Sequence, residues 1–109
     1  MLLETNIDSL NTDLLSSVFE KQVRNITLSS SNSNTIVIIF ENDIINMNIF
    51  ELVPMIKMWA FKEGFILTSE PYFCDVTKRG ETRSNFFDFQ GQDENEAIFL
   101  AAEWVLKNK

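Results

Sequence analysis

A chain of 109 residues is one domain's worth, and at 45% hydrophobic, 12% aromatic and 23% charged it has a globular composition rather than a disordered one. Nine Lys and Arg against sixteen Asp and Glu give a net charge of −7, which argues against general nucleic-acid binding, because phosphate affinity comes from clustered cations. There is no His, which excludes Ser-His-Asp and Cys-His catalysis, His general bases and the usual zinc and haem ligand sets, and a single Cys excludes an intrachain disulfide.

The opening residues Met1-Leu2-Leu3-Glu4-Thr5-Asn6 offer no basic n-region and no long apolar stretch, so no signal peptide is expected. The longest aliphatic or aromatic run, Ile36 to Phe40, falls far short of the roughly 20 residues of a membrane span. With one Cys and no export signal, the expected compartment is the cytoplasm. Richness in Asn, Ile, Lys, Phe and Ser fits an A+T-rich coding genome.

The first element predicted is a helix over Thr12 to Asn25, where Leu14, Leu15, Val18, Phe19 and Val23 recur at helical spacing and Asn11 or Thr12 caps the start. Two strands follow, Asn25 to Leu28 and Thr35 to Phe40, joined across Ser29-Ser30-Ser31-Asn32-Ser33-Asn34 as a hairpin. Ile36 to Phe40 is apolar on both faces, as expected of a central strand covered twice. Asn42-Asp43 then turns the chain, and Ile44-Ile45 could begin another short strand.

A second helix is expected from about Asn48 to Glu63. Asn48 and Glu51 have capping-box spacing, Ile49, Leu52, Val53, Ile56, Trp59 and Ala60 form the buried stripe, and Gly64 ends it. Pro54 leaves two versions open: a helix kinked at Pro54, at a cost of about 3 kcal/mol, or one that starts near Val53 with Pro54 at its first position. Three strands are predicted next: Phe65 to Ser69, Tyr72 to Thr77 and Ser84 to Phe89. A last helix runs from about Asp93 to Lys107, with Asp93 as cap and Ala97, Leu100, Ala101 and Trp104 as its apolar face, widened by Ile98, Phe99 and Val105. The expectation is a single α+β domain over residues 1–109, an antiparallel sheet with helices packed on it, in the order αββ (residues 1–47) then αβββα (residues 48–109). Trp59 and Trp104 are expected against one sheet.

Several segments carry a resemblance: Met58-Trp59-Ala60-Phe61-Lys62-Glu63-Gly64-Phe65, the hairpin with Cys74, Asn95-Glu96-Ala97-Ile98-Phe99, and Ala102-Glu103-Trp104-Val105-Leu106. Through them residues 48–109 resemble small uncharacterised phage and prophage proteins with an αβββα core, including those of Bacteroidetes. The same element order looks like a double-stranded-RNA-binding domain, but that family grips phosphates with a lysine-rich start to its second helix. Here Asp93-Glu94-Asn95-Glu96 stands in that place, so RNA-duplex binding is not carried over. Small acidic phage proteins of this size are similar to anti-CRISPR inhibitors. The resemblance implies a stoichiometric inhibitor of a bacterial CRISPR effector nuclease or its guide-RNA complex.

Two charged sets are the candidate partner-binding residues. Lys78, Arg79 and Arg83 lie in a loop of local charge +2; the ordinary reading is a solvated hairpin tip, the functional one an anchor for an acidic or phosphate surface. Asp88, Asp93, Glu94 and Glu96 read ordinarily as helix-capping acids, and functionally as a patch that meets a basic groove by mimicking phosphates. No acid spacing matches a calcium loop, the three glycines are isolated, and Cys74 reads as a buried inert thiol, so no cofactor, metal or catalytic residue is expected. The function expected is therefore a non-enzymatic, protein-binding inhibitor of a bacterial host protein, with no membrane and no DNA-duplex partner. The alternatives are a small carboxylate-dependent hydrolase, or a homodimeric accessory protein joined through an exposed strand edge or the N-terminal segment.

Overall fold

The structure, a computed structural model, describes residues 7, 9–29, 34–80 and 86–109. Arg83 and the middle of the Ser/Asn hairpin loop lie outside the described residues. The order is α1 (Thr12–Phe19), β1 (Val23–Leu28), β2 (Thr35–Phe40), β3 (Ile44–Asn48), α2 (Ile49–Lys62), β4 (Phe65–Glu70), β5 (Phe73–Lys78), β6 (Phe86–Gln90) and α3 (Glu94–Asn108). The class is α+β with antiparallel pairing. The strands divide into two three-stranded sheets, β1-β2-β3 and β4-β5-β6, rather than one.

α1 starts where Asn11 Oδ1 accepts the Leu14 N–H at 2.6 Å, a cap worth about 1 kcal/mol. It ends at Phe19, six residues before the expected Asn25. Glu20 turns left-handed at φ 54°, and Ser16 Oγ accepts the Val23 N–H at 2.9 Å. Val23 is therefore the first residue of β1, opposite Phe40, and is 1% exposed. A bulge between Val23 and Asn25 shifts the strand's phase, so Val23 and Ile26 share a face although three residues apart.

β2 is the central strand of its sheet, as its β-branched run implies. Ile36, Ile38 and Phe40 are buried under the helices, while Val37 and Ile39 on the other face are half-buried. The expected double cover is thus complete on one face only. β3 forms from Ile44 through Asn48 and hands the chain directly to α2.

α2 takes the longer of the two expected forms. Asn48 is the N-cap, but its side chain accepts from the Phe50 N–H at 2.8 Å rather than completing the box with Glu51. Pro54 sits inside the helix, on the side facing away from Ile49, Leu52, Ile56 and Ala60, all fully buried. Gly64 at φ +101° then reverses the chain into β4. α3 begins at Glu94 because Asp93 Oδ1 accepts the Glu96 N–H at 2.8 Å.

α3 lies across β4, β5 and β6, while α2 touches both β3 and β4 and so bridges the two sheets. One apolar core joins Leu14 and Leu15 of α1, Ile36 and Ile38 of β2, Leu52 and Ile56 of α2, and Phe99 of α3. Trp104 packs between Phe65 and Phe89 on the second sheet, with the Phe65 ring edge-on at 5.6 Å. Trp59 does not join it there. Its indole N–H donates to Ser17 Oγ at 3.1 Å, fastening α2 to α1. The shortest molecular extent, 18 Å, fits one helix layer on one strand layer.

Candidate functional site

Strand alternation sorts the second sheet into a covered and an open face. Phe65, Leu67, Cys74 and Val76 are buried against the helices. The open face carries Ile66, Thr68 and Glu70 of β4, Phe73, Asp75 and Thr77 of β5, and Asp88 and Gln90 of β6. The register brings Thr68, Asp75 and Asp88 into one row across the three strands. Glu70 adds a third carboxylate, and no Lys or Arg stands among these residues. The open face of the first sheet is different: its rows read Asn25, Ile39, Ile44 and Thr27, Val37, Asn46, without a charge.

Two like charges directly opposite on neighbouring strands are destabilising. The Asp88 carboxyl is raised above its ordinary 3.8. The causes are loss of hydration on the strand, a hydrogen bond with Asp75, and the charges of Asp75 and Glu70, partly offset by a backbone hydrogen bond at Phe89. The folded state therefore holds the Asp88 proton more tightly than the unfolded chain does. Through that group, stability falls as pH rises from 3.8 to the raised value and stays lower above it. Asp88→Asn is expected to raise the melting temperature at neutral pH, with the gain vanishing under acid conditions where the wild-type carboxyl is protonated. Melting curves at pH 7 and at the acid limit check this; an equal gain at both would refute it.

The structure separates the two predicted charged sets. Lys78 and Arg79 stand at the far end of β5, where the Arg79 N–H donates to the Gly64 carbonyl at 2.8 Å and its guanidinium covers the Phe61 ring at 4.9 Å. Asp93, Glu94 and Glu96 stand at the other end, about 17 Å away along β5, where the Gly91 N–H donates to the Tyr72 carbonyl. Asp93 and Glu96 are half-buried and occupied: Asp93 caps α3, and Glu96 Oε1 accepts the Gln92 N–H at 3.1 Å. Their capping role is the ordinary one. Glu94 is exposed and joins the acidic end of the sheet. Asp88 acquires partners in Asp75 and Glu70, which the sequence reading did not single out. The signal that could have found them is the strand register, which no local pattern in the sequence supplies.

Cys74 is fully buried, and burial pushes its thiol up to about 12, as expected of an inert side chain. Among the described residues no group of three or more Cys, Asp or Glu is placed to hold a metal ion, and no helix is long and apolar enough to cross a membrane. A cleft of about 360 Å³ between α1 and α2 is floored by Trp59 and rimmed by Glu20, Lys62 and Glu63. Its central polar groups are engaged with one another: Trp59 with Ser17, and Lys109 with Glu63 at 3.6 Å.

A second groove, about 450 Å³, is almost wholly apolar. Pro54, Lys57, Met58 and Phe61 of α2 form one wall, and Ile66 and Leu67 of β4 the other. Ile66 and Leu67 point to opposite faces of the sheet, so a groove touching both runs along the strand's edge. Met58 and Phe61 are 56% and 45% exposed there. No protein-family model, curated protein or solved structure matches the chain.

Proposed function

We propose that this chain acts as a binding protein. On this reading the open face of β4-β5-β6, with Glu70, Asp75 and Asp88 and the adjoining Glu94, meets a basic surface of another protein. The observation that carries the reading is the Asp75–Asp88 pair. It opposes two carboxylates in register on a sheet face that no described helix covers, where loss of hydration and the neighbours Asp75 and Glu70 raise the Asp88 carboxyl, and a cationic surface would meet both acids at once. Phe73 and Tyr72, 39% and 57% exposed, supply apolar area beside the acids, and spread carboxylates also speed encounter with a cationic groove.

A groove that normally holds nucleic acid is a partner of that chemistry. Inhibition of a CRISPR effector nuclease, as the phage-type resemblance implies, is the specific form we propose for it. The chain would act stoichiometrically, by occupying the groove in place of phosphates, with no bond made or broken. Titration into the nuclease reaction tests this. Inhibition should saturate at a fixed molar ratio, and Asp75→Lys with Asp88→Lys should abolish it while the circular dichroism spectrum is kept. Failure to inhibit any effector of the host at stoichiometric dose would reject the nuclease; full inhibition by the Lys variants would reject the acidic face. Turnover of a small molecule, lost on amide replacement of one carboxylate, would favour the hydrolase instead.

A further inference from the structure

We infer that the cleft between α1 and α2 is a binding site for an alkylammonium group, and that Lys109 fills it as an internal ligand which such a group displaces. The cleft is separate from the acidic sheet face, and the inference stands independently of the function proposed for that face.

The cleft lies where helices end. Ser17, Val18 and Glu20 belong to the last turn and cap of α1, and Trp59, Lys62 and Glu63 to the last turn and cap of α2. The carbonyl ends of two helices therefore border one cavity, and the partial negative charge at a helix C-terminus favours a cation. α1 has no basic residue in its last turn to answer that charge. The lining side chains add to the same sign: Glu20 and Glu63 stand against Lys62 alone, which is exposed.

The ammonium of Lys109, the C-cap residue of α3, shows what the site takes. It lies 3.6 Å from Glu63 Oε1, 3.5 Å from Ser17 Oγ and 5.9 Å from the centre of the Trp59 ring. A carboxylate, a hydroxyl and an indole face each attract an ammonium, and here they converge on one. Ser17 and Trp59 hold each other in place, the indole N–H donating to the hydroxyl at 3.1 Å. Val18, Met55 and Met58 line the same cleft and supply apolar surface for an aliphatic stem.

Lys109 is held loosely. Both polar distances are at the long limit of their kind, and the ion pair, about a third exposed on each side, is weak. Holding so long a side chain also costs rotamer entropy, so the internal occupant is a poor competitor. About 360 Å³ stays open beside it. A lysine side chain of a partner and a free aliphatic diamine share the chemistry that would displace it.

The Trp59 indole N–H resonance in a proton–nitrogen correlation spectrum, assigned with Trp59→Phe, reports on the site. It is titrated at constant ionic strength with putrescine, for a free diamine, and with N-acetyl-lysine methylamide, for a lysine side chain. Lys109→Ala should bind one of them about fivefold more tightly than the wild-type chain, the gain from freeing a site that its own chain occupies. Glu63→Gln added to it should weaken that binding about fivefold, with an unchanged circular dichroism spectrum, because the charged acceptor is lost. The tighter probe identifies the source. Butanol, which offers the stem without the charge, should leave the resonance in place. No saturable shift in Lys109→Ala, an equal affinity in the wild-type chain, binding undiminished by Glu63→Gln, or a butanol shift as large as that of the amines would each overturn the inference.

Discussion

Phe99→Ala is expected to cost about 3–5 kcal/mol, the range for truncating a fully buried Phe. Phe99 is 0% exposed and is the largest side chain of the sealed core. The helix that carries it touches β4, β5, β6, α1 and α2, so no single neighbour can move to fill the space. Domains of this size are stable by only about 5–15 kcal/mol, and the melting temperature should fall by roughly 15–30 °C. Urea unfolding, followed by the fluorescence of Trp59 and Trp104, measures the loss. The midpoint should drop while the slope stays the same, because the surface exposed on unfolding hardly changes. Leu100→Ala, one residue along and half-buried, should cost distinctly less. A Phe99→Ala loss below about 1 kcal/mol would mean the core relaxes around the gap, contrary to close packing.

Phe99 also marks how far the sequence could be read. Helix spacing took Ala97, Leu100, Ala101 and Trp104 as the face of α3, with Phe99 only widening it; the structure buries Phe99 fully and leaves Leu100 and Trp104 half-buried, because α3 is covered on more than one side. The β2 run was legible: six consecutive residues of β-forming type allow one regular state. Val23 was not, because a bulge makes a strand repeat every three residues where it is irregular, and three is also a helical spacing. In α2 the stripe through Ile49, Leu52 and Ile56 was read correctly, and the opposite stripe through Phe50, Met58 and Phe61 went unremarked. Only packing shows which of two apolar stripes is covered. The division into two sheets and the meeting of Asp75 with Asp88 depend on register between strands. Turn geometry and the core set that register, and neither is visible in a window of a few residues.

Gly91→Ala should destabilise by about 1–3 kcal/mol through overpacking, although the change adds a single methyl group. A Cβ at this position would lie 2.5 Å from the Ala97 nitrogen, and 3.0 Å from both the Asp93 oxygen and the Glu96 carbonyl carbon. All three are backbone atoms of the α3 start, so no side chain can swing aside. Nor can that backbone yield alone. The Gly91 N–H is tied to the Tyr72 carbonyl at 2.9 Å, the Gln92 N–H to Glu96 Oε1, and the Glu96 N–H to Asp93 Oδ1. To admit the methyl, the first turn of α3 must lift from the end of β5-β6, breaking a cap worth about 1 kcal/mol. Amide exchange separates this from a general loss of stability: the amides of Glu96 and Ala97 should exchange faster than global unfolding allows. Gly64→Ala supplies the contrast. Nothing lies within 4 Å of a Cβ there, and its penalty comes from the backbone conformation at φ +101° alone, about 1–2 kcal/mol. That variant should leave the α3 amides protected. If Gly91→Ala also leaves them protected, the close approach of Gly91 to the helix start is not what makes glycine necessary.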